Sequence, residues 1–140
     1  MKKLQVLLAE DNAGDVFLVE EALRSHRLEY ALRVVREGTE AVRYLERMGS
    51  TPDIPCPDVF LVDLNLPSGD GHDLVKLFRS YPECAAVPVV VLTSSDATRD
   101  RVRAKELGAD AYFRKPSNLI DFLTLGAVIT QLVTMDEDAK

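Results

Sequence analysis

Five short apolar runs recur along the chain: LQVLLA (4–9), YALRVV (30–35), DVFLVD (58–63), VPVVVLT (87–93) and DAYFRK (110–115). Four of the five are too continuously apolar to alternate, which suits strands covered on both faces. Between the runs, apolar residues recur at helical spacing. Val16, Val19, Ala22 and Leu23 mark one helix, Ala41, Leu45 and Met48 a second, and Leu74, Leu77 and Phe78, after the turn SGDG, a third. ATRDRVRAKELG reads as a fourth, with Gly108 as its C-terminal cap, and a fifth spans Leu119 to Met135, capped by Ser117 or Asn118. Strand and helix thus alternate five times. That order specifies an α/β fold, a three-layer doubly wound parallel sheet with right-handed crossovers.

The 140 residues suffice for one domain, expected over 1–140, with a core over 4–135 and a charged, disordered tail, DEDAK, over 136–140. The proline-rich connection GSTPDIPCP is expected to run over the surface. The net charge of -6 argues against a nucleic-acid partner, which needs basic patches. No run of eighteen apolar residues occurs, and MKKLQVLLAEDN lacks the pattern of a leader peptide, so no membrane contact and a cytoplasmic location are expected. On that basis Cys56 and Cys84 are expected to be reduced thiols.

The polar residues fall at the strand ends. Glu10, Asp11 and Asn12 follow the first run, Asp63 closes the third with Asn65 two residues on, Thr93, Ser94 and Ser95 close the fourth, and Lys115 closes the fifth. The carboxyl edge of an open parallel sheet is where ligands bind. If the strand order is 2-1-3-4-5, Glu10, Asp11 and Asp63 converge. Three carboxylates in one crevice require protonation or a cation, and an all-oxygen site with room for water suits Mg²⁺. With the ammonium of Lys115 and the hydroxyl of Thr93, the set can support phosphoryl transfer, Asp63 attacking in line. Taken singly, each residue has a plainer reading. Glu10 and Asp11 could cap the first helix, Asp63 a turn, Thr93 could simply end its strand, and Lys115 could be a solvated lysine. Their joint placement at one edge favours the site.

The motifs AEDN, LVDLNLPSGDG, LTSS and YFRKP, spread over four strand ends, resemble those of bacterial two-component response regulator receiver domains, over roughly residues 4–130. The resemblance implies a flavodoxin-like (βα)5 fold of order 2-1-3-4-5. It implies Asp63 as phosphoacceptor, Glu10 and Asp11 as acidic metal ligands, and Asn65 as a ligand through its backbone carbonyl. Thr93 would be the switch hydroxyl, Lys115 the phosphoryl-binding lysine and Tyr112 the switch aromatic, with room beside Ser94 to turn inward. The Lys115–Pro116 bond would be cis. Glu10 stands where many receivers carry Asp. The protein would signal rather than turn over substrate, losing its own phosphoryl group slowly. Its donor would be a sensor histidine kinase, and a downstream histidine phosphotransfer protein is a candidate recipient. The opening AEDNAGDVFLVEEAL and the long loop before the third strand resemble stand-alone regulators paired with phytochrome-type kinases.

Gly69 and Gly71 read as turn residues, Tyr112 taken alone as a half-buried aromatic, and His26 and His72 as surface residues. Two other functions fit the architecture. An aspartyl phosphatase would need a general acid where Asn65 stands, and a flavin- or nucleotide-binding module would need a phosphate cradle where EDNAGD places acids. In the last helix, Leu119, Phe122, Ile129 and Val133 form one apolar stripe, and Leu125, Val128, Leu132 and Met135 a second. A band that wide predicts a homodimer or partner contact through the C-terminal helix region, against the plainer reading of a deeply buried helix.

Overall fold

Five of the chain's strands pair in parallel: β1 (Leu4–Ala9), β2 (Tyr30–Val35), β3 (Val59–Asp63), β6 (Val89–Thr93) and β7 (Ala111–Arg114). Their order is β2-β1-β3-β6-β7, the expected reversal beside the first strand. The computed structural model describes residues 3–138. The helices are α1 (Ala13–Ser25), α2 (Gly38–Ser50), α3 (Gly71–Arg79), α4 (Thr98–Glu106), α5 (Leu119–Phe122) and α6 (Thr124–Asp138). A two-stranded hairpin, β4 (Asn65–Leu66) and β5 (Gly69–Asp70), fills the connection after β3 and has no counterpart in the sequence reading.

The continuous apolar runs are continuous because both sheet faces are covered. Phe60, Val62, Val89 and Val91 join Leu45, Leu74, Val75, Phe78 and Ala104, the layer of α2, α3 and α4. Val59, Leu61, Val90 and Leu92 join Val19, Leu23, Phe122, Leu125 and Ile129, the layer of α1, α5 and α6. Each fully buried aliphatic side chain contributes about 1.5–3 kcal/mol through removal from water. Asn12 caps α1 by accepting from the Asp15 N–H, and Asn118 caps α5 by accepting from the Asp121 N–H. Gly108 follows α4 with φ +107, the left-handed cap its position required. Gly71 permits the close approach of α3 to the end of β3: a Cβ there would lie 2.3 Å from the Asp63 carbonyl oxygen.

The structure corrects several expectations. Cys56 and Cys84 form a disulfide, with Cα atoms 5.7 Å apart across 28 residues of sequence. The proline-rich connection and the short 3-10 turn Pro82–Cys84 lay the two side chains against the same core layer, a proximity that sequence spacing does not encode. No cis peptide occurs among the described residues, so Lys115–Pro116 is trans, the isomer that an X–Pro bond itself prefers. His72 is buried beneath α4 instead of lying on the surface. The last helical segment is two helices broken at Leu123. Leu119, placed in the core stripe, is 49% exposed, whereas Leu125, placed in the outer stripe, is fully buried. Val128 and Leu132 pack on the same core layer, and the Met135 side chain lies outside the described residues. Among the described residues, Leu119 and Ile120 are exposed and Val128, Leu132 and Val133 half-buried, an apolar surface narrower than the expected band. Leu125, Gly126 and Ile129 are buried and the other described α6 side chains are half-buried or exposed, so deep burial does not describe the helix either. That helix also continues through Asp138, past the end of the expected core at 135, and residues 139–140 lie outside the described residues.

Arg79, the last residue of α3, ties three connections together. It donates to the carbonyls of Gly108 (3.0 Å), Val87 (2.7 Å) and Cys84 (3.2 Å) and to Asp110 Oδ2 (2.8 Å), which also accepts from the Val89 N–H. Arg79→Ala should cost about 2–4 kcal/mol in urea unfolding, since it strips several charge-assisted bonds at once, three of them to part-buried backbone carbonyls. Arg79→Lys should recover less than half, because an ammonium cannot reproduce the planar fork. A loss below about 0.5 kcal/mol, the usual size for a surface change, would contradict this account.

Candidate phosphoacceptor site

Sheet register builds the site. Ala9 lies opposite Val62, so the next residues, Glu10 and Asp63, stand side by side at the carboxyl edge. Asp63 lies opposite Leu92, and the Lys115 N–H donates to the Thr93 carbonyl (2.8 Å), which brings the end of β7 to the same edge. From there the Lys115 amine reaches across the crevice. Its Nζ donates to Glu10 Oε1 (2.5 Å), Asp15 Oδ2 (2.7 Å) and Asp63 Oδ2 (2.8 Å). Carboxylate oxygens of Glu10, Asp11 and Asp63 lie within 4.8 Å of one another.

Glu10 is fully buried, Asp63 nearly so, and Asp11 exposed. Asp63 Oδ1 accepts from the Asn65 N–H (2.9 Å), and Glu10 Oε2 from the Asn12 N–H (3.2 Å). Asp63 therefore makes the turn bond of its plainer reading while also pairing with Lys115. Burial pushes the Glu10 carboxyl up to about 7, against the lowering effect of Lys115 and with help from Asp63. Burial opposes the charge on Lys115 too, but its hydrogen bonds to Asp15, Asp63 and Glu10 outweigh it and hold the ammonium above its ordinary range. The two directions agree. Three carboxylates face one amine, and that surplus of negative charge raises Lys115, whereas burial is the main cause for Glu10.

That surplus is what a hard divalent cation would relieve, and an all-oxygen, partly open donor set fits one. Because Glu10 must lose its proton to serve as a ligand, divalent affinity should fall as pH drops from 8 to 6, approaching tenfold per unit below about 7. The sign for stability is opposite in the ion-free protein. A carboxyl raised from 4.5 to about 7 on folding contributes stability below pH 4.5, which is lost as pH rises to about 7. Calorimetric Mg²⁺ titrations at pH 6 and 8 check this, with Glu10→Gln flattening the dependence. Equal affinities in the wild type would contradict it.

Asp15 is the residue that sequence reasoning missed. It occupies the first turn of α1, three residues after the cap Asn12. That position points an acid back toward the strand end, a signal that the sequence reading, which considered only Glu10 and Asp11 there, did not use. Thr93 and Tyr112 are linked to each other through Ser95. The Ser95 N–H donates to Thr93 Oγ1 (3.1 Å), and the Tyr112 hydroxyl donates to the Ser95 carbonyl (3.1 Å). The Ser95 hydroxyl donates to Asp100 (2.8 Å) and holds that carboxyl below its usual range. Tyr112 is half-buried, with the Arg101 guanidinium 4.5 Å above its ring, and burial pushes its phenol up. His26 is exposed, as expected.

Residues 6–125 match the response regulator receiver domain. The chain belongs to this family. The receiver domain is 34% identical over 120 residues to the response regulator Rcp1 of Synechocystis sp., covering 86% of this chain and 82% of that protein. It superposes on the phosphorylated cyanobacterial phytochrome response regulator RcpA with a TM-score of 0.82 at 32% identity, covering 95% of both chains. It superposes on the Mn²⁺-bound form of Rcp1 with a TM-score of 0.78 at 33% identity, covering 91% and 92%. No helix among the described residues is long and apolar enough to cross a membrane. Receiver domains of this kind take their phosphoryl groups from sensor histidine kinases.

Proposed function

We propose that Asp63 is the phosphoacceptor of this receiver domain and that Lys115, Thr93 and a Mg²⁺ ion assist it. The supporting observation is the contact between Lys115 Nζ and Asp63 Oδ2 beside the acids Glu10 and Asp11. Glu10, Asp11, Asp63 and the Asn65 backbone carbonyl would hold the Mg²⁺, which would supply positive charge for the phosphoryl oxygens. Asp63 attacks phosphorus, its Oδ–P bond forms, and the donor's P–N bond breaks with the electron pair going to the leaving imidazole. Lys115 keeps its proton and faces the phosphoryl oxygens. Thr93 then turns its hydroxyl to the phosphoryl group, giving up the Ser95 N–H, and Tyr112, tied to the same Ser95, moves with it. The surface of α4, β7 and α5 changes as a result.

The likeness to Rcp1 and RcpA supports a phytochrome-type kinase as donor and 1–140 as one receiver domain. Output would pass to a target protein or onward to a histidine phosphotransfer protein. A homodimer through the C-terminal helix region would rest on exposed Leu119 and Ile120. Asn65, which cannot serve as a general acid, disfavours the phosphatase reading. Acetyl phosphate with Mg²⁺ should add one phosphoryl mass to the wild-type chain, and a chelator should prevent it. An unchanged mass would refute the proposal.

A further inference from the structure

Lys115 donates to three carboxylates, yet only Glu10 and Asp63 belong to the acidic group that fits a cation. The third, Asp15, lies outside that group, on the first turn of α1. We infer that Asp15 is a positioning residue for phosphoryl transfer: it anchors one N–H of Lys115 so that another faces the phosphoryl oxygens arriving at Asp63. The inference rests on Asp63 being the phosphoacceptor.

An ammonium has three N–H groups, and here each has one carboxylate. During transfer Asp63 forms its bond to phosphorus, and its Oδ2 or the incoming oxygens must take over the same N–H. Glu10 sits among the candidate cation ligands. Asp15 alone among the three neither reacts nor belongs to that group, so its bond to Lys115 persists from ground state to transition state. It is also well held. Its own N–H donates to Asn12 Oδ1 (2.9 Å), and its side chain is only 25% exposed. A lysine carries four rotatable carbons, and without that anchor it spreads over rotamers that miss the phosphoryl group. Favourable placement of an acid near a helix N-terminus would explain Asp15 by itself but does not require its bond to Lys115.

The test is the rate at which the full chain reacts with acetyl phosphate, followed by intact mass. In that reaction the donor P–O bond breaks, acetate leaves with the electron pair, and Asp63 Oδ–P forms. Asp15→Ala should lower the maximal rate about 10- to 100-fold at saturating Mg²⁺ while shifting the half-saturating acetyl phosphate less than about threefold. Asp15→Asn, which keeps size and an acceptor oxygen but no charge, should fall between Ala and wild type, and Asp15→Glu should restore most of the rate. The Asn variant carries the test if Ala fails to fold. A folded Asp15→Ala, or in its place a folded Asp15→Asn, reacting at the wild-type maximal rate would overturn the inference, as would slowing erased by more Mg²⁺. A wild type that takes no phosphoryl group sinks the Asp63 assignment itself. A normal wild type beside an unaffected variant sinks only the role of Asp15.

Discussion

Asp63→Ala is expected to take up no phosphoryl group from acetyl phosphate and Mg²⁺, and to remain as stable as the wild type. The two halves come from the same geometry. Among the described residues, Glu10 and Asp63 both bond Lys115 and belong to the acidic group with Asp11. Glu10 is buried and protonates near neutral pH, so it makes a poor nucleophile, and Asp15 stands outside the acidic group. Removing Asp63 leaves Lys115 with two acceptors and subtracts one negative charge from three acids around one amine. Like-charge repulsion falls, so urea unfolding of the variant should show no loss. A persistent adduct in a folded Asp63→Ala would move the acceptor elsewhere. A large loss of stability would mean that Asp63 serves mainly as a structural ion-pair partner.

Lys115→Ala, by contrast, should lower stability as well as rate. Its amine compensates Glu10, Asp15 and Asp63, and Glu10 is fully buried. Breaking a buried pair from one side costs about 3–5 kcal/mol at pH 7. Because Glu10 already takes a proton near 7, the deficit should shrink at pH 5, and it should shrink with Mg²⁺ at pH 7. The transfer rate should fall by about 10²–10³, the scale for losing one preorganised positive partner of the transition state. Unfolding curves at both pH values, with and without Mg²⁺, separate the effects. A deficit that does not depend on pH would show that Glu10 is not the group left uncompensated.

The parts of the site visible in the sequence are those that depend on strand ends alone. A continuous apolar run stops where the sheet stops, so Glu10, Asp11, Asp63 and Lys115 announce a shared edge once parallel topology is inferred from the alternation. The β1–β3 pairing then needs only register to bring Glu10 beside Asp63. What depends on rotation about a helix axis was not visible. Asp15 reaches Lys115 because α1 turns its first-turn acid inward, and His72 is buried because α3 turns its second residue toward Asp100. The Cys56–Cys84 pair depends on how two irregular segments cross, which no periodicity records. Leu125 stands three residues after Phe122 and four before Ile129, so helical spacing alone puts it on their buried face, while Leu119 lies toward the edge of that face and is exposed. The disordered-tail expectation failed locally because α6 continues to Asp138.

The most direct test is to locate the phosphoryl group. After reaction with acetyl phosphate and Mg²⁺, reduction with borohydride converts an aspartyl phosphate to the corresponding alcohol, and peptide mass spectrometry reports which acid was converted. The account predicts conversion at Asp63 alone. Conversion at Glu10, Asp11 or Asp15 with Asp63 intact, or a stable phosphate on a histidine or hydroxyl residue, would contradict it.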